Sequence, residues 1–271
     1  MKKTPIEQLV VIMSKLRDPV DGCPWDLAQT FETIAQYTIE EAYEVADAVA
    51  SGNKADLLEE LGDLLFHVVY YAQLSREEGN FDFDKIVEVI SEKMIRRHPH
   101  IFSETVAETI DCQTQSWEAF KEVERSVKTS GDEIQSSLAG VARALPALTR
   151  ADKLAKRAAR VGFDWPTTAD VITKIEEELG ETKIEISDKG SPERLKDEIG
   201  DLLFAVANLA RKLDVDPEAA LRHTNNKFTK RFAYVEEQLA QRGFTPKESG
   251  LDEMNTLWNE AKTMERCSPS A

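Results

Sequence analysis

The chain has 271 residues, 41% hydrophobic and 31% charged, so it is long enough to bury a core of ordinary globular size. Its 50 acidic and 34 basic residues give a formal net charge of −16, which repels a phosphate backbone and disfavours duplex nucleic acid as a partner. Three widely spaced cysteines, no signal peptide and no apolar run long enough to span a membrane predict a cytoplasmic protein without a membrane partner.

The elements predicted along the chain are helices. Apolar residues recur at helical spacing from Ile6 to Leu16 and again from Leu57 to Val69. Alternating patterns typical of strands are hard to find. The sequence therefore predicts an all-α fold.

A stretch at 126–137 is poor in large apolar residues and contains Gly131, which predicts a linker. The sequence repeats on either side of it, with small changes in offset that loop insertions would produce. Two pairs in the first half recur 138 and 134 residues later: Glu60 and Asp63 as Glu198 and Asp201, and Lys93 and Arg97 as Lys227 and Arg231. The repeat predicts two helical domains, 1–125 and 138–271.

Each half carries the same acidic signature in two parts, Glu-Glu-x-x-Glu and then Glu-x-x-Asp. Residues three apart share a helix face, so two such helices packed antiparallel would bring four carboxylates together. The four acids are Glu41, Glu44, Glu60 and Asp63 in the first half, and Glu178, Glu181, Glu198 and Asp201 in the second.

Acids at this spacing usually form a solvated helix face. Here Asp63 and Asp201 lie in strongly apolar helices, where the Leu-Leu-Phe after each aspartate is expected to pack in a core. Like charges in such a place are destabilising unless a positive charge neutralises them. Ligands that are all oxygen suit Mg²⁺, with Mn²⁺ as a substitute. The sequence therefore predicts a metal site in each half.

The motif Glu-Glu-x-x-Glu, followed about sixteen residues later by Glu-x-x-Asp, resembles the MazG family of all-α nucleoside triphosphate pyrophosphohydrolases. The runs Gly22-Cys23-Pro24-Trp25-Asp26 and Arg96-Arg97-His98-Pro99-His100 extend the resemblance over nearly the whole chain. It implies a chain of two tandem MazG-type helical bundle units. It further implies that the chain forms a homodimer, in which these units join into larger helical bundles. It also implies Mg²⁺-dependent hydrolysis of nucleoside triphosphates to monophosphate and pyrophosphate.

Three glutamates of the second half are the candidate catalytic residues: Glu177, Glu178 and Glu198. The hypothesis is an in-line attack of water on the α-phosphorus, with Glu177 or Glu178 taking the proton. The sequence leaves open which carboxylate is the base and which is a ligand.

Five further residues are candidates for binding the substrate. Lys227 and Arg231 lie four apart on one helical face and could bind phosphates, although a solvated basic surface gives the same spacing. Arg194 lies one turn before Glu198 and could reach the phosphates or pair with the acids. Asn208 could bind a ribose or base edge, and Trp258 could stack on a base, with packing as the alternative for both.

The second half is predicted to be the main catalytic half. Asp56 stands where the second half has Arg194, and Tyr70 stands where it has Asn208. The first half is therefore predicted to be a weaker or regulatory site. Trp25, Trp165 and His67 are predicted to have structural roles, the two tryptophans in core packing.

Two alternatives to a pyrophosphohydrolase of broad base range, acting on ribo- and deoxyribonucleotides, stay open. One is an enzyme of narrow specificity for a single deoxyribonucleoside triphosphate. The other is a non-catalytic helical protein that binds nucleotides or regulates a partner. The intact acid set in both halves favours an enzyme.

Overall fold

The computed structural model describes residues 3–102 and 136–267, and every regular element in these ranges is a helix. The all-α prediction is therefore confirmed. The chain divides into two compact units, Met1–Ser130 and Gly131–Ala271, called unit 1 and unit 2 below. The linker predicted at 126–137 lies outside the described residues except for its last two positions. Within the described ranges, no helix combines the length and apolar character needed to cross a bilayer.

The described part of unit 1 contains six helices, in which α4 packs against α1, α3 and α5. They are α1 (Pro5–Leu16), α2 (Pro24–Leu27), α3 (Phe31–Ser51), α4 (Lys54–Glu77), α5 (Phe83–Arg97) and α6 (Pro99–Phe102). The buried core is formed by Met13, Ile34, Val69, Tyr70 and Leu74. Helices α1, α3 and α4 therefore meet in one apolar cluster.

The described part of unit 2 contains five helices, in which α9 packs against α7 and α8 while α10 packs against α11. They are α7 (Ala147–Arg160), α8 (Thr168–Ser187), α9 (Pro192–Lys212), α10 (Pro217–Gln241) and α11 (Leu251–Cys267). Val235, Leu239 and Leu257 form the buried cluster between α10 and α11.

Each unit contains a helical hairpin, α3–α4 or α8–α9, and the two hairpins start alike. The Oγ1 atoms of Thr30 and Thr167 accept hydrogen bonds from backbone N–H groups in the first turn, at 3.4 and 3.2 Å, which caps the helices. The connecting loops use a left-handed residue, Gly52 with φ 73° or Lys189 with φ 54°. Because these loops are short and the paired helices are in contact, each hairpin is antiparallel.

The expectation that the apolar run after each aspartate packs in a core is wrong for part of each run. Asp63 and Asp201 are exposed, and Leu65, Leu203 and Phe204 are 42%, 50% and 38% exposed. Within a unit, α9 buries only a narrow stripe that includes Ala205, Ala207 and Asn208. An apolar run on a helix covers more of its circumference than one packed neighbour can cover.

The prediction that Trp25 packs in a core is also wrong, because Trp25 is 54% exposed. It lies in α2, a single turn, and its ring centroid is 6.3 Å from that of Tyr37. Trp165 is half-buried. His67 is buried, and burial lowers its pKa, which agrees with the structural role expected of it.

Candidate active site

Each unit brings three of its predicted acids together across its helical hairpin. One carboxylate oxygen from each acid can be chosen so that all three lie within 4.8 Å of one another. The groups are Glu41, Glu60 and Asp63 in unit 1, and Glu178, Glu198 and Asp201 in unit 2. We call them the unit 1 acids and the unit 2 acids.

The geometry of the unit 2 acids follows from the hairpin. Glu198 and Asp201 are three residues apart and share a face of α9, and antiparallel packing places that face against Glu178 on α8. Glu178 is buried, Glu198 is half-buried and Asp201 is exposed. The site therefore opens to solvent on the side of Asp201.

The fourth predicted acid of each unit, Glu44 or Glu181, lies outside the group of three but close enough to act on it. Desolvation, and then the charges of Glu178 and Glu198, raise the pKa of Glu181. Desolvation, and then the charge of Glu44, likewise raise the pKa of Glu41. Mutual repulsion between carboxylates is what a bound cation would relieve, and their all-oxygen donor set fits a hard divalent ion.

A lysine that the sequence analysis did not single out lies beside the unit 2 acids. The Nζ atom of Lys174 is 2.7 Å from a carboxylate oxygen of Glu177 and 2.7 Å from one of Glu178. Hydrogen bonds to these two carboxylates raise the pKa of Lys174. Its spacing of four residues before Glu178 was the available signal. In unit 1 the corresponding residue is Tyr37.

Arg194 pairs with a second residue that the sequence analysis missed. Its Nη2 contacts Oε1 of Glu185, a buried glutamate on α8. Glu185 lies seven residues after Glu178, so both lie on the same face of that helix. Of the two alternatives for Arg194, the structure shows an ion pair with an acid, although this acid is not one of the predicted set.

The structure places Asn208 in the interior of unit 2, with 1% of its surface exposed. Its Oδ1 accepts a hydrogen bond of 2.7 Å from Nε of Arg211, and Nη2 of Arg211 lies 2.5 Å from Oδ1 of Asp164. Asn208 therefore has a structural partner, and its contact with a ribose or base stays a prediction.

Lys227, Arg231 and Trp258 gather between α10 and α11. Arg231 donates two hydrogen bonds to Oε2 of Glu265, at 2.9 and 2.6 Å, and its guanidinium carbon lies 5.7 Å from the centroid of a Trp258 ring. The charge of Lys227 contributes to the lowered pKa of Glu265, after the hydrogen bond from Arg231. In the described part of unit 2, no hydrogen bond or ion pair joins these three residues to the unit 2 acids.

Comparison with known proteins identifies a family. A model described as the MazG nucleotide pyrophosphohydrolase domain matches twice, at residues 29–102 and 167–235, which include the two hairpins that carry the acids. The nucleoside triphosphate pyrophosphohydrolase of Escherichia coli K12 is 47% identical over 261 residues, 96% of this chain and 98% of that protein.

Two further relatives match over almost all of this chain. The nucleoside triphosphate pyrophosphohydrolase/pyrophosphatase MazG of Thermotoga maritima is 41% identical over 94% of this chain and 95% of that protein. The uncharacterized protein YabN of Bacillus subtilis is 42% identical over 94% of this chain and 51% of that protein. The chain therefore belongs to the MazG family, whose nucleotide pyrophosphohydrolase domain it contains twice.

Proposed function

We propose that this chain hydrolyses nucleoside triphosphates, both ribo- and deoxyribonucleotides with a broad range of bases, to nucleoside monophosphate and pyrophosphate. The observation that carries the proposal is the group of Glu178, Glu198 and Asp201, with Lys174 beside it, in a nucleotide pyrophosphohydrolase domain. The names of the relatives from Escherichia coli and Thermotoga maritima support the substrate class.

The ion that we propose is Mg²⁺, with Mn²⁺ as a substitute. Glu178, Glu198 and Asp201 would hold it, with Glu181 beside them, because carboxylate oxygens are the donors that these ions prefer. When bound, the ion would screen the charge of the phosphates and lower the pKa of a water molecule.

The chain's own residues supply the proton transfer in the proposed reaction. A water oxygen attacks the α-phosphorus, the bond to the bridging oxygen breaks, and pyrophosphate leaves while the water proton passes to a glutamate. Lys174 forms ion pairs with Glu177 and Glu178, so a positive charge lies beside both candidate bases. Because Glu178 belongs to the unit 2 acids, we propose Glu177, the more exposed of the two, as the base.

Cations near the unit 2 acids would bind the phosphates, and unit 2 is for that reason the proposed catalytic unit. Lys174 is in contact with the acids, and Arg194 lies one helical turn from Glu198. In unit 1, Tyr37 and Asp56 occupy the equivalent positions, so a triphosphate would meet an extra anion. Binding of phosphates by Lys227 and Arg231, and of the nucleoside by Trp258 and Asn208, stays a proposal.

We also propose a homodimer. Ile199, Leu203 and Val206 lie four and three residues apart along one face of α9, and they are 48%, 50% and 44% exposed. A contiguous apolar stripe of this kind is typical of a protein interface, and a second copy of the same chain is the commonest partner.

The experiment that tests the proposed function measures hydrolysis of a panel of ribo- and deoxyribonucleoside triphosphates. Each is assayed with Mg²⁺, with Mn²⁺ and with a chelator, and pyrophosphate is separated from orthophosphate. Metal-dependent release of pyrophosphate from many bases is expected. Glu198→Gln should abolish it, while the matched variant Glu60→Gln should retain it.

Two results would replace the proposal by one of its alternatives. Turnover confined to one deoxyribonucleoside triphosphate would show a narrow-specificity pyrophosphatase. Nucleotide binding with no turnover of any member of the panel would show a non-catalytic nucleotide-binding protein. Release of orthophosphate instead of pyrophosphate would contradict attack at the α-phosphorus.

A further inference from the structure

An ion pair lies at the loop end of the α8–α9 hairpin, and none of the roles above uses its acidic member. Glu185 is only 6% exposed, near the end of α8. The side chain of Arg194, in the first turn of α9, is 69% exposed and contacts Oε1 of Glu185 through Nη2. The pair joins a buried carboxylate to an arginine that faces solvent.

The carboxylate of Glu185 lies between Arg194 and the loop that joins the two helices. Oε1 contacts Arg194, and Oε2 occupies the space beside Gly190 that a Cβ atom there would enter, at 2.1 Å. The backbone N–H of Gly190 donates to the backbone carbonyl oxygen of Glu185 at 2.8 Å, which closes the loop around this residue. A buried carboxylate in this position can restrict where its arginine lies.

The pair lies on the loop side of the unit 2 acids, one to two helical turns away from them. Glu185 is two helical turns from Glu178, and Arg194 is one turn, about 6 Å along the axis, from Glu198. This separation is within the reach of a polyphosphate whose α-phosphorus lies at the unit 2 acids. Arginine carries five N–H donors, and a guanidinium that contacts Glu185 through Nη2 keeps others for a phosphate.

The repeat within the chain provides an internal comparison. At the position of Glu185 unit 1 has Ala48, which is buried, and at the position of Arg194 it has Asp56. The buried glutamate is therefore absent from the unit in which the arginine is absent. A buried carboxylate is costly unless it is paired, so a glutamate with no task beyond filling space would be replaceable by an apolar residue, as Ala48 shows.

We propose that Glu185 is a positioning residue, which holds the guanidinium of Arg194 where it binds the phosphates of the substrate. This inference rests on the proposed function, because it requires a polyphosphate at the unit 2 acids. It assigns to the pair a part of the proposed difference in phosphate binding between unit 2 and unit 1, beside the part given to Lys174.

The test is a double-mutant cycle on the full chain, with KM and kcat measured for ATP and Mg²⁺. Arg194→Ala is expected to raise KM at least about tenfold, since it removes a charged hydrogen-bond donor. Glu185→Gln keeps the volume but not the charge, and it should raise KM about three- to tenfold while kcat changes less. The double variant should be no worse than Arg194→Ala alone, because Glu185 acts through Arg194.

The matched control is Glu176→Gln, which removes an exposed acid from the same helix and should leave KM unchanged. Wild-type KM in Glu185→Gln, or full multiplication of the two single effects in the double variant, would overturn the inference. A lower melting temperature with wild-type KM would show that Glu185 is only structural. If Glu185→Gln does not fold, the cycle is repeated with Glu185→Asp, which keeps the charge but shortens its reach, and the same raised KM is expected.

Failure of the proposed function would be visible separately. It would appear as no turnover by the wild-type chain. The same four variants would then be compared by calorimetric titration with ATP and Mg²⁺, in which Kd replaces KM. Equal Kd for wild type and Glu185→Gln in that titration would contradict the positioning role.

Discussion

Units 1 and 2 hold equivalent acids in equivalent hairpins but surround them with different side chains. The acids of each unit reach the same mutual distance of 4.8 Å or less. Unit 2 adds Lys174 and the pair of Glu185 with Arg194, whereas unit 1 has Tyr37, Ala48 and Asp56 at those positions. The comparison teaches that a duplicated unit can keep its acid group while the charges beside that group change, because unit 1 retains the acids and the pair Lys93 and Arg97 but has no equivalent of Lys174 or Arg194.

The two units also differ in the buried polar residue that lies seven positions after the aspartate, which is Asn208 in unit 2 and Tyr70 in unit 1. In unit 2, Asn208 accepts a hydrogen bond from Arg211. In unit 1, the hydroxyl of Tyr70 donates to the backbone oxygen of Asp26 at 2.8 Å, and the guanidinium carbon of Arg17 lies 5.6 Å from the ring centroid. Both arrangements pair a buried side-chain oxygen, but with different residues, and among the described residues the amide nitrogen of Asn208 has no hydrogen-bond partner.

The largest expected effect comes from removing Glu178, the buried acid of unit 2. Glu178→Gln should lower kcat/KM for pyrophosphate release about a thousandfold, because it removes a charged ligand of the proposed metal ion. The matched Glu41→Gln should change it less than about threefold. Equal losses in the two variants would show that both units are catalytic.

Exchange of Lys174, which lies one helical turn before Glu178, tests whether this lysine contributes to phosphate binding. Lys174→Tyr, which gives unit 2 the residue of unit 1, should lower kcat/KM roughly 10- to 100-fold through loss of a charged contact. The reverse change, Tyr37→Lys, should add no activity in a Glu198→Gln background, since Asp56 still repels phosphate. Measurable turnover of Tyr37→Lys in that background, and not of Glu198→Gln alone, would contradict the role given to Asp56. Turnover by Glu198→Gln alone would contradict the assignment of catalysis to unit 2.

Substitution of the buried polar residue of either unit, Asn208 or Tyr70, is expected to lower the free energy of unfolding. Asn208→Ala removes the acceptor of a buried hydrogen bond from a charged group, which should cost about 2 kcal/mol of unfolding free energy. Tyr70→Phe removes a hydrogen bond to a neutral backbone oxygen and a long one, 3.5 Å, accepted from Arg17, and it should cost about 1 kcal/mol. Denaturant unfolding measures both. A large change in KM with little loss of stability in Asn208→Ala would instead favour a contact between Asn208 and the nucleoside.

The smallest expected effect depends on pH and concerns unit 1. Hydrogen bonds from Arg17 lower the pKa of Glu77 below its ordinary value of 4.5. The stabilisation is therefore complete above pH 4.5 and is lost as the pH falls through the lower pKa of the folded state. Glu77→Gln should lower the free energy of unfolding by about 1 kcal/mol at pH 7. This value is small for a charged pair because the carboxylate is partly exposed.

Thermal unfolding of wild type and Glu77→Gln at several pH values measures this difference. It should shrink as the pH is lowered from 4.5, whereas Glu78→Gln, at an exposed neighbouring position, should show a smaller difference throughout. A difference that grows with acidity would contradict the sign of the shift.

The sequence by itself determined the helices, the repeat and the acid groups. These features depend on relations inside one helix or one hairpin: Glu198 and Asp201 share a face at a spacing of three, and a short loop forces α8 and α9 to be antiparallel neighbours. Local spacing is therefore sufficient for both the fold class and the core of the site.

Only the tertiary structure decided which side chains meet where one helix packs on another. The spacing of Lys227 and Arg231 showed a shared face but could not show that the face meets α11, where Glu265 binds Arg231. It could not show that Glu185 is buried and contacts Arg194, or that Trp25 stays exposed. Such contacts depend on how the faces of different helices are rotated toward one another, and helical periodicity within one helix carries no information about that rotation.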